Sequence, residues 1–200
     1  GIPCYLGAAD VPLAASRSGQ SLEQAARTLR YAFLEETRRS CGLELLATAH
    51  HADDQAETVL MRILRGTGTA GLAAMRPRSG TDGHIIRPFL GVTKQEIQDW
   101  CDQEELQPRL DETNALPDCT RNRLRLQLLP QLERDYNPEL ARGLCQLAEV
   151  AADESDYLEQ QVTACWQDAR YVRHAGQPAL SQVGLQSLHS ALQRLMIRRF

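Results

Sequence analysis

The sequence predicts an α/β fold, with a parallel sheet in the first part of the chain and a smaller helical region after it. Two observations carry this expectation. An amphipathic helix, a short apolar run and a second amphipathic helix follow one another through short connections over residues 21–66, which is the wiring of helices laid on a parallel sheet. Beyond Pro130 the strand signals give way to long, leucine-spaced helical stripes.

The chain opens abruptly on Gly1-Ile2-Pro3 with a short apolar run and no helix start, as the middle of a domain would, so a cut or incomplete chain is expected. Ser21 with Gln24 forms a capping-box pair, and Leu22, Ala25, Ala26, Leu29 and Phe33 follow at helical spacing until Gly42, giving a helix over about residues 21–40. Residues 43–49 are short and apolar after a glycine and read as a buried strand. Ala56, Val59, Leu60, Ile63 and Leu64 then fall on one helical face, with Gly66 placed to end the helix. Residues 66–71 are glycine-rich and read as a flexible loop, and residues 84–87 as a short strand. Thr93 and Glu96 make a second capping box, opening a helix toward Leu106. A loop over 107–119 precedes a helix over about residues 121–129. Asn137-Pro138 starts a long helix striped by Leu140, Leu144, Leu147, Ala151, Leu158 and Val162, and a final helix runs through Leu185, Leu188, Leu192 and Leu195.

Composition excludes several classes. A hydrophobic fraction of 42% and a charged fraction of 24% are globular values, against disorder or a fibrous repeat. No apolar run approaches the ~20 residues of a membrane span, and residues 1–20 lack a signal-peptide pattern, so a cytoplasmic protein is expected. The six cysteines never come as C-x-x-C, which suggests neither a zinc ribbon nor a redox pair. A net charge of -4 gives no global case for nucleic acid, yet Arg62, Arg65, Arg76, Arg78, Arg87 and Lys94 face Asp82 alone across residues 62–94, a basic island in an acidic chain.

The densest polar cluster, Thr48-Ala49-His50-His51-Ala52-Asp53-Asp54-Gln55-Ala56-Glu57, sits where a strand ends and a helix begins, the place where open α/β sheets bind ligands. At 100° per residue Asp54 and Glu57 lie about 60° apart, on the side away from Val59 and Ile63. A helix start seats anions, which would place a phosphate beside His50. The two carboxylates suit a hard cation or an ammonium group. A metal-dependent phosphohydrolase using His50, His51, Asp53 and Asp54 as ligands fits the same residue types.

The run TAHHADDQAET, followed by RILRGTGTAGLAAMRP, resembles the signature of tRNA(Ile)-lysidine synthases of the ATP-pyrophosphatase, or PP-loop, superfamily. SLEQAARTLRYAFL before it, and IIRPFLGVTKQEI, D-E-T-N and RNRLRLQLLPQL after it, agree in the same order through about Asn137. The resemblance implies the remainder of a Rossmann-like parallel-sheet PP-loop ATPase domain over residues 1–132, and a helical tRNA- or substrate-binding region over 133–200. It implies ATP and Mg²⁺ as cofactors. The implied partners are L-lysine and an isoleucine tRNA with a CAU anticodon, with a homodimer as the expected assembly. The implied reaction adenylates the first-anticodon-position cytidine, releases pyrophosphate, and lets the lysine ε-amine attack the activated carbon to give lysidine and AMP. Carried over by position, His50 meets the nucleotide phosphate, and Asp54 and Glu57 hold lysine, cytidine or Mg²⁺. Arg65, Arg121, Asn122 and Arg125 contact nucleotide or tRNA, while Asp111 and Asn114 organise the loop before them.

One family feature is missing from these residues. The S-G-G-x-D-S loop that cradles pyrophosphate does not occur, and the nearest string, at residues 16–21, reads as a loop plus a helix cap. The expectation is therefore a fragment of a ligase, with a non-catalytic tRNA-binding remnant as the alternative.

Overall fold

The computed structural model describes residues 2–109, 120–174 and 177–200, without the side chains of 167–174 and 177–178. They form a helix-rich α/β chain with small sheets, in two compact units: Gly1–His50 with Pro77–Gly91, and His51–Arg76 with Val92–Phe200.

In the first unit a helix stands where none was expected. Helix α1 (Val11–Ser18) is started by Asp10, whose side chain accepts the Leu13 N–H at 2.9 Å, and by Pro12 in the first turn; Gly19, at φ 66°, ends it. Its eight residues bury only Ala15, too little for an apolar stripe to be read from sequence. Helix α2 (Leu22–Ser40) starts at the expected cap, with Ser21 Oγ accepting the Gln24 N–H at 3.2 Å. Strands β1 (Leu46–Ala47), β2 (Arg78–Ser79) and β3 (Ile85–Ile86) form a sheet of order β1-β3-β2, in which β1 runs parallel to β3 and β2 antiparallel to it. The seven-residue apolar run thus yields a two-residue strand. Only Leu46 and Ala47 lie opposite β3, while Leu43 and Leu45 remain exposed. β2 carries no apolar signal and was not expected.

In the second unit, helix α3 (Ala52–Arg65) buries Ala56, Val59 and Leu60 but leaves Ile63 and Leu64 exposed, so the apolar face is two residues shorter than its spacing suggests. Gly66 ends the helix at φ 74°, a conformation that costs a residue with a Cβ. The glycine-rich segment is strapped back onto α3 and contains a short helix, α4 (Thr69–Leu72). Buried Gln55 exchanges two hydrogen bonds with the Met75 backbone at 2.9 and 3.0 Å, and Arg62 donates to the Gly71 carbonyl. Helix α5 (Lys94–Gln103) has both bonds of the Thr93/Glu96 capping box and stops short of Leu106.

The helix expected over 121–129 runs on past Pro130, as α6 (Thr120–Arg123), a π-helical turn (Leu124–Leu128) and α7 (Leu129–Asp135). Pro130 has no N–H and would crowd the carbonyl four residues back. The chain answers by widening, with the Leu129 N–H bonding Leu124 O. Helix α8 (Leu140–Ala169) begins after Asn137, whose side chain accepts the Glu139 N–H at 3.0 Å. Its Leu144 and Ala148 complete a core with Ala56, Val59, Leu60, Leu124 and Leu129. Leu147, counted in the stripe, is 40% exposed. Strands β4 (Arg170–His174) and β5 (Gln177–Leu180) pair antiparallel, unforeseen from sequence. The expected final helix is two, α9 (Gln182–Gln186) and α10 (Ser190–Arg199), because His189 caps a new start by accepting the Ala191 N–H at 3.2 Å. Val162 and Met196 centre a second apolar cluster there with Trp166, Leu188 and Leu192.

Candidate functional site

The first turn and a half of α3 carries three acidic side chains, and the helix through Pro130 brings two arginines to them. Glu57 is 1% exposed. Its Oε2 accepts from Arg121 Nε at 2.8 Å and Arg125 Nη2 at 3.1 Å, and its Oε1 accepts from Arg125 Nε. Asp54 Oδ1 accepts from Arg125 Nη2 at 2.9 Å and Arg121 Nη2 at 3.2 Å. Four of the sequence candidates, Asp54, Glu57, Arg121 and Arg125, thus form one cluster rather than two separate groups. The spacing of 121 and 125 puts both guanidiniums on one face, as expected. The helical wheel set Glu57 apart from buried Val59, yet both are buried, because the arginine-bearing helix covers the acidic side of α3. Burial is tolerable because each carboxylate charge is matched by hydrogen-bonded cations. Burial works against the charge of Arg125, but the Glu57 hydrogen bond and the Asp54 and Asp53 charges outweigh it and hold its pKa above the ordinary arginine value.

His51 caps the helix from the other side. Its backbone N–H donates to Asp54 Oδ2 at 3.1 Å, and its ring lies 3.5 Å from Asp54 Oδ2 and 3.4 Å from Asp53 Oδ2. Asp53 Oδ2 also accepts the Lys94 N–H at 2.8 Å, which ties the start of α5 to the start of α3. Interaction with Asp53, opposed by partial burial and helped by the Asp54 charge, raises the His51 pKa above its usual value. Interaction with His51 holds Asp53 down at about 2, against the desolvation of its carboxyl and with help from the Lys94 N–H. Cys145 donates its thiol to Ala52 O at 3.3 Å, and burial pushes its pKa up, so it stays a neutral thiol.

The other candidates lie apart or are placed only locally. His50 closes the first unit, with Nδ1 2.9 Å from Thr48 Oγ1. Arg65 is exposed at the far end of α3, about 16 Å of helix rise from Asp54. Asn122 is half-buried next to Arg121. Asp111 and Asn114 fall outside the described residues. Sequence reasoning gave no role at this site to Lys94 or Cys145; the capping box at Thr93 was the signal that fixes where Lys94 stands. The donor set does not suit Mg²⁺ at Asp54 and Glu57. Their oxygens already face two guanidiniums, which would repel a dication.

These residues sit in a recognisable frame. The family model described as a PP-loop domain matches residues 1–132. The chain belongs to the PP-loop domain family. Among curated relatives, this PP-loop chain is similar to tRNA(Ile)-lysidine synthases. That of Caldanaerobacter subterraneus subsp. tengcongensis is 36% identical over 199 residues, covering 99% of this chain and 42% of the relative. That of Clostridium acetobutylicum is 40% identical over 159 residues, covering 80% and 34%. That of Geobacter sulfurreducens is 45% identical over 142 residues, covering 71% and 30%. The PP-loop chain spans well under half the length of the curated relatives it matches.

Proposed function

We propose that this PP-loop chain is the portion of a tRNA(Ile)-lysidine synthase that activates and modifies the tRNA, ligating lysine to the first-anticodon cytidine at the expense of ATP. The observation that carries the reading is the similarity to lysidine synthases over as much as 99% of the chain. Residues 1–132 are the catalytic PP-loop part, of Rossmann-like parallel-sheet type, and 133–200 the helical region that meets substrate or tRNA. ATP is the activating co-substrate, and the reaction belongs in the cytoplasm.

Within that reaction Asp54 and Glu57 are the groups that receive the substrate amine. A carboxylate pair lowers the cost of seating an ammonium, and Arg121 and Arg125 fix both carboxylates while presenting positive charge toward phosphate. His50 is the phosphate contact at the end of β1, and Arg65 and Asn122 are contacts to nucleotide or tRNA. Mg²⁺, if the reaction takes it, is held elsewhere than on this carboxylate pair. The phosphohydrolase reading is weaker for the same reason, since Asp54 is engaged by arginine.

Incorporation of radiolabelled lysine into isoleucine tRNA tests the proposal, with this chain and with a version extended at its amino end. Incorporation that depends on ATP and is lost in Asp54→Asn is the expected result. No incorporation by either version, or stoichiometric transition metal in the purified protein, would overturn it. Light scattering on the same samples tests the homodimer.

A further inference from the structure

A cavity of about 210 Å³ opens beside the cluster, lined by residues from the start of α3, the start of α5, the helix through Pro130, and α8. At ~30 Å³ per water it has room for about seven waters, the scale of a free amino acid rather than of a nucleotide. Four of its charged lining groups are already engaged, Glu57 with Arg125 and Asp53 with His51. Two are not. The ammonium of exposed Lys94 and the carboxylate of half-buried Glu133 line the same space, with no ion-pair or hydrogen-bond partner for either side-chain charge among the described residues.

An unmatched cation and an unmatched anion on one small cavity are complementary to a zwitterion. We infer that this cavity binds the α-amino-acid end of an amino-acid substrate, with Lys94 receiving the α-carboxylate and Glu133 the α-ammonium. The inference rests on the lysine-ligating reading above and adds to it a specificity device. Glu57 and Arg125 line the same cavity, so a bound amino acid has its two ends read by different residues. The backbone end meets Lys94 and Glu133, and the distal amine meets the carboxylate cluster. A diamine that lacks the backbone end is thereby rejected, although its reactive amine is the same.

Calorimetric titration of the chain with three ligands tests this: L-lysine; cadaverine, which lacks the α-carboxylate; and Nα-acetyl-L-lysine, which lacks the α-ammonium. Both analogues are expected to bind about tenfold or more weaker than lysine, the effect of losing one charge-assisted contact. Lys94→Met should weaken lysine to near the cadaverine level and leave cadaverine unchanged. Glu133→Gln should weaken lysine and leave Nα-acetyl-lysine unchanged. Circular dichroism of both variants establishes that they fold, and Gln98→Ala on the exposed side of α5 serves as a control. Lysine and cadaverine binding equally well, or both variants retaining full discrimination, would overturn the inference and leave the ligase reading standing. Failure of every amine to bind would instead defeat the ligase reading, and the inference with it.

Discussion

Glu57 is the residue on which the cluster turns, because it is the one acidic group there almost fully removed from water. Glu57→Gln keeps the shape and removes the charge, leaving Arg121 and Arg125 half-buried with one carboxylate between them. A loss of about 3 kcal/mol in urea unfolding is expected, as for breaking other buried pairs. Removing the exposed Arg134–Asp135 pair should change stability by only ~0.5 kcal/mol. His51 and Asp53 give the same neighbourhood a pH signature. His51 has its pKa raised, so its contribution is full below about 6.5 and fades as pH rises through the folded value. Asp53 has its pKa lowered from 3.8 to about 2, so its contribution is present above 3.8 and fades as pH falls toward 2. The α3–α5 junction is therefore most secure between those limits. Thermal midpoints measured across pH should show the alkaline decline, and His51→Gln should abolish it; an unchanged profile would remove His51 from the account. Each of these residue types was legible in the sequence as a candidate. The pairing was not, because Arg121 meets Glu57 across 64 positions, and local periodicity carries no information at that range.

Among the elements, those fixed by local chemistry were readable. Ser21, Thr93 and Gly66 mark boundaries through hydrogen bonds or a φ angle that neighbours alone decide. Strands decided by distant partners were not: β1 is two residues long because only two find β3, and β2 exists only as the partner of β3. The π-helical turn lies between these cases. Pro130 was visible and read as a break, but the helix passes through it by widening, and Arg125 lies within the widened turn. Pro130→Ala restores the missing donor and permits ordinary α-helical spacing. The expected variant melts no lower than the parent yet turns Arg125 away from Glu57, seen as a fall in lysine incorporation without a fall in thermal midpoint. Parent-like activity would show that the widened turn has no part in placing Arg125.

At the scale of the whole molecule, the basic island of the sequence resolves into residues with different duties. Arg62 holds the Gly71 carbonyl, Arg76 pairs with Asp156 at 2.6 Å, Arg78 donates to Gly83 O at 3.2 Å, and Arg87 is buried with Ser79 at 2.9 Å. Arg65 is exposed and ends α3. Charge counted along a sequence thus overstates the surface offered to a polyanion. Arg65→Ala should weaken tRNA binding and lower the slope of log affinity against log salt by about 1. Arg62→Ala should leave that slope unchanged and act through the fold. Equal slopes for parent and Arg65→Ala would take Arg65 out of the tRNA contact. The two-unit division was not legible either, since the chain passes between units at residues 50, 76 and 91, and no composition change marks those crossings.

Lys94 has a practical side as well. It is the only lysine among the 200 residues, and it stands on the wall of the one cavity that the carboxylate cluster shares. Protein grown on lysine labelled with nitrogen-15 at the ε position would carry one labelled side-chain ammonium in this chain. Its magnetic resonance line would then report, free of overlap, whatever enters the space beside Glu57.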